Sequence, residues 1–239
     1  MSAITARSLD VAHKNPRKTI AALGKGGRLS DLAYARVLEV LFDRQLPAGS
    51  FVSQSQLAEL TGVPVGPLRD ALRSLEAEGI LTIHPHTGIQ FVKPGMELTR
   101  STYQFRSMIE SAAVAVFAET AADADIEELA LRHREVIAAV ERDGLTPENL
   151  WQLEELEDLL HGSIVAILNN PLADTSYRRV HNYLKLVRLD RKISVPLVLR
   201  SLREHQLIIE ACRNRNAPEA VAALQAHFAA ALQRNLGLY

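Results

Sequence analysis

Glu157, His161, His205 and His227 are the residues of this 239-residue chain whose types and spacing suit metal chemistry. Glu157 and His161 stand four apart, so on a helix they share one face, a turn from each other. His161 lies on the apolar stripe of Leu153, Leu160 and Ile164; His205 interrupts that of Leu202, Ile208, Ile209 and Cys212, and His227 that of Leu224 and Ala231. A lone histidine on such a stripe is more often a hydrogen-bonded core residue than a ligand. Three imidazoles and a carboxylate on the inward faces of three helices shift that balance. Neutral imidazoles with a carboxylate suit Zn, Ni, Fe, Co or Mn and leave positions open for water or an anion. One divalent ion is expected, Zn first, with Ni or Mn as alternatives. Asp158 is the fallback carboxylate, turned about 100° round the helix. Arg106 offers a planar fork of donors that matches an organic acid's carboxylate. Its competing role is an intrahelical pair with Glu110, worth roughly a few tenths of a kcal/mol. His133, His181, Trp151 and Tyr183 are expected only to pack or to face solvent.

A second group suits nucleic acid. Between Val65 and Leu75 the apolar positions Leu68, Ala71, Leu72 and Leu75 follow the i, i+3, i+4, i+7 rule, which leaves Val65, Arg69 and Arg73 together on the opposite face. The bland reading is a solvated face with Asp70 and Glu76 as neighbours. The flanking elements favour the sharper one. Ser53 and Gln56 form a capping box ahead of a short helix that turns Leu57 and Leu60 inward and stops at Gly62. After Gly79, the β-prone segments 80–83 and 89–92 are joined by His84-Pro85-His86-Thr87-Gly88, a hairpin with a turn-rich tip. Helix, tight turn, helix and hairpin make a winged helix-turn-helix. Arg69, Val65, Gly66, Arg73, Ser55, His86, Thr87 and Gly88 are its candidate DNA contacts.

Charge is divided along the chain. Residues 1–95 carry eleven Lys and Arg against eight Asp and Glu, and residues 96–239 sixteen against twenty, so the positive end is the one with the motif. Residues 1–28 are the most basic stretch, with Asp10 as their only acid, and read as a flexible arm able to track phosphates. The single cysteine, Cys212, excludes an intramolecular disulfide framework and suits a reducing cytoplasm. No signal-like apolar core or bilayer-length apolar run is present, so a soluble cytoplasmic protein with no membrane partner is expected.

Lys93-Pro94-Gly95 marks a boundary, after which the pattern is helical. Six helices are expected: Leu98 to about Ala122, one capped by Asp125 and ending near Gly144, one opened by Thr146-Pro147, one from Pro171, one after Ser194 and one from Ala217-Pro218. Short connections make them an antiparallel bundle, a fold that places ligand sites in its core. The fold class is therefore mainly α, with a winged helix-turn-helix over 29–95 and a helical domain over 96–239.

Residues 29–95 resemble the DNA-binding domain of the GntR family of bacterial transcription regulators. The resemblance rests on LPAG (46–49), LAELTGV (57–63), PLRDALRSLEAEGIL (67–81) and Thr87-Gly88. Where the family has Ser-Arg-Thr-Pro, this chain has Pro64-Val65-Gly66-Pro67, so one base-reading arginine is missing, whereas Arg69 matches the family's second. Residues from about 97 to 235 are similar to the FCD ligand-binding domain of the FadR subfamily. The matching positions are Arg106 with Glu110, Glu157 with His161, Glu204-His205, and His227; Glu157 stands where the family usually has Asp.

The resemblance implies a homodimeric transcription regulator, a repressor in the leading reading, rather than an enzyme. Such a protein reads an inverted-repeat double-stranded operator and answers to a small carboxylate effector bound in a metal-containing bundle. The alternatives are a metal-dependent enzyme of the bundle, for which no hydrolase motif supplies a spare general base, and a regulator that has lost metal or DNA binding.

Overall fold

The computed structural model describes residues 28–189 and 191–237. The expected basic arm, apart from Arg28, lies outside the described residues. Internal contacts divide the described residues into two units: one comprises 99–180 and 191–237, the other 28–98 together with 181–189.

The second of these units begins with α1 (Leu29–Phe42), which buries Val37, Leu38, Val40 and Leu41. Next come β1 (Phe51–Val52), α2 (Gln54–Thr61), α3 (Val65–Ala77), β2 (Leu81–His84) and β3 (Gly88–Phe91). The capping box forms: Gln56 N donates to Ser53 Oγ at 3.1 Å, and Ser53 N donates to Gln56 Oε1 at 2.9 Å. Gly62 ends α2 in the left-handed region at φ 66°. Leu57 is buried as expected, but Leu60 is 44% exposed. An eight-residue helix has only two turns, and Leu57 with Thr61, four apart, already occupy its buried face. On α3 the whole expected stripe, Leu68, Ala71, Leu72 and Leu75, is buried.

The hairpin pairs antiparallel with Ile83 opposite Ile89 and His84 opposite Gly88. Ile89 and Phe91 face the core and Gln90 faces solvent, as a period of two requires. β1 adds a third strand, giving the order β1-β3-β2. Two residues are too few to carry an alternating pattern, so this strand has no sequence signal. Gly88, at φ 152°, lies where a Cβ would come within 2.8 Å of the Val52 carbonyl oxygen, so the close approach of β1 requires glycine.

The core of this unit also contains Leu186 and Leu189, from the far end of α7 (Pro171–Arg188) and just beyond it. In the same stretch Tyr183 Oη donates to the Glu78 carbonyl. Asn182 Nδ2 donates to Tyr34 Oη at 3.0 Å, and that hydroxyl donates to Glu78 at 2.7 Å.

The larger unit is helical: α4 (Met96–Thr120) from Thr99 onward, α5 (Asp123–Asp143), α6 (Pro147–Ala166), the first half of α7, α8 (Val195–Arg213) and α9 (Ala217–Asn235). The punctuation is largely the expected one. Gly144 ends α5 at φ 71°, and Thr146 Oγ1 accepts from Asn149 N with Pro147 in the first turn. Asp125 is not the cap of α5: the helix starts two residues earlier, and Asp123 and Asp125 both lie in its first turn, where the helix dipole favours their charge. α8 packs against α9, and α5, α6 and α8 meet around Val136, Val140, Leu156, Val198 and Leu202. Among the described residues no helix is long and apolar enough to cross a membrane.

Candidate metal centre and DNA-reading face

The bundle brings Glu157 and His161 of α6, His205 of α8 and His227 of α9 together, each offering one ligand atom and all of these within 4.8 Å of one another. The three imidazoles are buried and Glu157 is 15% exposed. Asp158 is not in the group.

The nitrogens divide into two sets. Those facing outward are occupied: His161 Nδ1 lies 2.7 Å from Glu110 Oε2, His227 Nδ1 2.9 Å from Glu204 Oε2, and His205 Nδ1 3.2 Å from His133 Nε2. The inward Nε2 atoms converge. His205 Nε2 and His227 Nε2 stand 3.3 Å apart, and Glu157 lies 3.5 Å from His161 Nε2 and 3.8 Å from His205 Nε2. His161 Nε2 is buried with no hydrogen bond. A purely structural histidine cluster would satisfy both edges of each ring, because a buried polar atom left unbonded costs about 1–3 kcal/mol. Here the rings donate outward to acceptors and turn lone pairs and a carboxylate toward one point. That donor set fits a divalent cation.

The outer carboxylates are themselves held. Arg106 Nε donates to Glu110 Oε1 at 2.6 Å, and its guanidinium lies 4.6 Å from the Phe228 ring centroid and 3.6 Å from Glu157. Arg234 grips Glu204 with two bonds of 2.7 Å. Burial opposes ionisation of Glu110, but Arg106 and His161 outweigh it and hold its pKa below the ordinary value. Burial likewise raises Glu204, yet bonds from His227 and Arg234 bring it down to about 2. Burial lowers His227 to about 4 against the pull of Glu204, and lowers His205 well below its ordinary value with help from the charge of His227.

Arg106 thus sits 1% exposed in a buried pair with Glu110, the competing role weighed for it. His133, expected only to pack or face solvent, is fully buried beside His205. Burial lowers its pKa to about 4, opposed by its backbone bond to Leu129. Glu204 and Arg234 also complete the centre. Cys212 is buried, its thiol pushed up to about 12 by burial, and offers no nucleophile.

These shifts predict an acid-labile metal-free protein. A histidine with pKa about 4 when folded and about 6.5 when unfolded binds its proton only on unfolding within that window. Stability is therefore complete above pH 6.5 and falls as pH drops toward 4, by on the order of 3 kcal/mol for each of His133 and His227. Glu204 extends the loss from about 4.5 toward 2. Denaturant midpoints of chelator-treated protein across pH 7 to 4 read this directly; a flat profile would mean that the histidines titrate as if exposed.

On the other unit, the outer face of α3 presents Arg69, Arg73, Gly66 and Val65 to solvent, Val65 being 42% exposed. Ser55 at the start of α2 and His86 and Thr87 at the hairpin tip are exposed, and Gly88 is partly buried. Two cationic side chains on a free helix face, backed by a β-hairpin, define a DNA-binding protein of the winged helix-turn-helix class.

Comparison with known proteins makes this specific. Residues 29–91 match the bacterial regulatory proteins of the gntR family, and residues 101–230 match the FCD domain. The chain belongs to the gntR-family transcription regulators that carry an FCD domain. It is 23% identical over 195 residues to the uncharacterized HTH-type transcriptional regulator YdhC of Bacillus subtilis, an alignment spanning 82% of this chain and 85% of that one. Its fold is shared with E. coli McbR/YncC (TM-score 0.74, 18% identity, 89% of this chain and 99% of the other). It is also shared with a putative GntR transcriptional regulator of Rhodococcus sp. RHA1 (TM-score 0.68, 19% identity, 88% and 98%).

Proposed function

We propose that the protein is a metal-dependent, effector-responsive repressor acting as a cytoplasmic homodimer. The observation that carries this reading is the convergence of Glu157, His161, His205 and His227 with their outward nitrogens already engaged. Zn, or alternatively Ni or Mn, is the ion these ligands would hold, and when bound it supplies a Lewis-acidic seat for an anion. Charge selects that anion. Glu110 is balanced by Arg106 and Glu204 by Arg234, and the exposed Arg200 beside Glu204 is screened by solvent, so an M²⁺ ion with Glu157 leaves one net positive charge in the buried site, matched by one carboxylate of a small organic acid. Arg106 takes part by exchanging its contact with Glu157 for the acid. Fluorescence-anisotropy titration of labelled operator tests the reading: a carboxylic acid should weaken binding by metal-loaded protein and leave chelated protein unaffected. Acids that never alter DNA binding, or that are turned over by the metal-loaded protein, would overturn it.

On DNA, Arg69 is assigned to a guanine edge, with Arg73, Ser55, His86, Thr87 and Gly88 along the backbone. Gly66 lets the start of α3 approach closely, since a Cβ there would meet nothing within 4 Å in the protein. Val65 offers methyl groups that suit a thymine methyl. Arg69→Ala should cost about 1–3 kcal/mol of operator affinity while leaving nonspecific binding nearly unchanged. A uniform loss on operator and random DNA at fixed salt would reduce Arg69 to a phosphate contact.

A single recognition helix reads only a short half-site, so two subunits should span an inverted repeat. Light scattering at micromolar concentration should give twice the 26.4 kDa chain mass, and footprints should show dyad symmetry. A monomer with an asymmetric footprint would refute the dimer.

A further inference from the structure

We propose that His133 is a positioning residue of the metal centre, locking the His205 ring in the tautomer that turns an unprotonated Nε2 toward the ion. The inference rests on the metal reading above. It begins at a backbone carbonyl, which can only accept. The Leu129 oxygen lies 2.7 Å from His133 Nδ1, so that nitrogen carries the proton and the neutral ring presents a lone pair at Nε2. Only 3.2 Å from that lone pair is His205 Nδ1, which must then be the donor. A neutral His205 with its proton on Nδ1 has none on Nε2, the atom that faces Glu157 at 3.8 Å and His227 at 3.3 Å. Polarity is thus passed from the carbonyl of α5 through two rings to the ligand atom on α8. His161 and His227 receive the same service from Glu110 and Glu204.

The use of an imidazole at this corner has a reason in charge. Each carboxylate among the outer acceptors has an arginine beside it, Arg106 for Glu110 and Arg234 for Glu204. The structure records no ion pair for His133, which is fully buried with both ring nitrogens engaged. A neutral acceptor there orients His205 without adding a negative charge that would cancel the centre's attraction for an anion. Because both of its nitrogens are engaged, His133 is not itself a ligand.

Asparagine and glutamine separate the two bonds of the ring. The Asn amide reaches about where Nδ1 stands and keeps only the Leu129 contact, whereas the Gln oxygen reaches the Nε2 position and accepts from His205. In metal-free wild type, ring-nitrogen NMR should find the His205 proton on Nδ1. His133→Gln should keep that tautomer and bind Zn within a few-fold of wild type in competition with a chromophoric chelator. His133→Asn should mix the tautomers and lose about 10–100-fold in Zn affinity, the usual effect of removing an outer partner of a ligating histidine. Thermal unfolding of the metal-free variants shows whether both fold. Wild-type Zn binding with an unaffected Asn variant overturns the role of His133 alone, whereas a wild type that takes up no Zn overturns the metal reading and the proposal with it. If a variant does not fold, the wild-type spectrum decides: a His205 proton on Nε2 overturns the relay.

Discussion

His205→Ala and His227→Ala should each empty the metal centre while operator binding survives. Protein purified without chelator or metal-affinity tag should carry about one divalent ion per subunit, and either variant should carry close to none. Losing a direct ligand should exceed the roughly 10–100-fold cost of losing an outer partner. The His227 variant should also be the less stable, because Glu204 loses a buried donor at 2.9 Å and keeps only Arg234 and the more exposed Arg200. Response to the organic acid should disappear with the ion. DNA binding should persist, since the reading unit has its own core of Leu41, Leu57, Leu68, Leu75 and Phe91. Elemental analysis alongside anisotropy titration checks both halves. Wild-type protein with less than about one ion in ten subunits, and no thermal shift on adding Zn, Ni or Mn, would mean that the extra methylene of Glu157 has broken the site.

The largest loss of stability should come from Arg106→Met. Glu110 is fully buried and ionised against its desolvation by Arg106 and His161, and the Arg106–Glu110 contact is 2.6 Å. Removing one partner of a buried pair leaves an uncompensated charge, at a cost of about 3–5 kcal/mol, far more than an exposed i, i+4 pair is worth. Without Arg106, burial pushes Glu110 toward the neutral acid, which holds the Nδ1–H of His161 less firmly than a carboxylate does. Arg106→Met should therefore weaken metal binding as well as the fold. Adding Glu110→Gln should recover part of the stability by removing the stranded charge. Denaturant midpoints of the single and double variants decide this; a single variant within about 1 kcal/mol of wild type would show that the guanidinium is not what keeps Glu110 ionised.

Local rules made much of this molecule legible in its sequence. The capping box, the α3 stripe, the Gly62 and Gly144 stops and the i, i+4 ligand pair each depend on neighbours within about one or two helical turns. What escaped depends on distant ones. His133 lies 72 residues from His205, and a lone histidine on α5 has no spacing that ties it to a ligand. Glu204 was visible only as part of Glu204-His205; its bond to His227 spans 23 residues and its clamp by Arg234 spans 30. Arg106 and Glu110 were paired in the sequence at the modest value of a surface contact, whereas burial and His161 turn the pair into a support of the centre. Leu60 departs from its expected burial for the opposite reason: its periodicity is sound, but a two-turn helix has too narrow a buried face to use it.

Leu186 and Leu189, together with Tyr183, belong to the core around α1, α2 and α3 although nearly a hundred residues of chain separate them from the hairpin. The DNA-reading unit is therefore assembled from two separate stretches of the gene. A hybrid regulator spliced at Pro94 would carry the recognition helix, the capping box and the wing, but leave those leucines behind. Each buried leucine lost costs about 2–5 kcal/mol, so the orphaned head would forfeit an amount comparable to the whole stability of a small domain. Heads of this design cannot be shuffled among sensors as free cassettes; a recipient must also supply a helix whose leucines fit the gap.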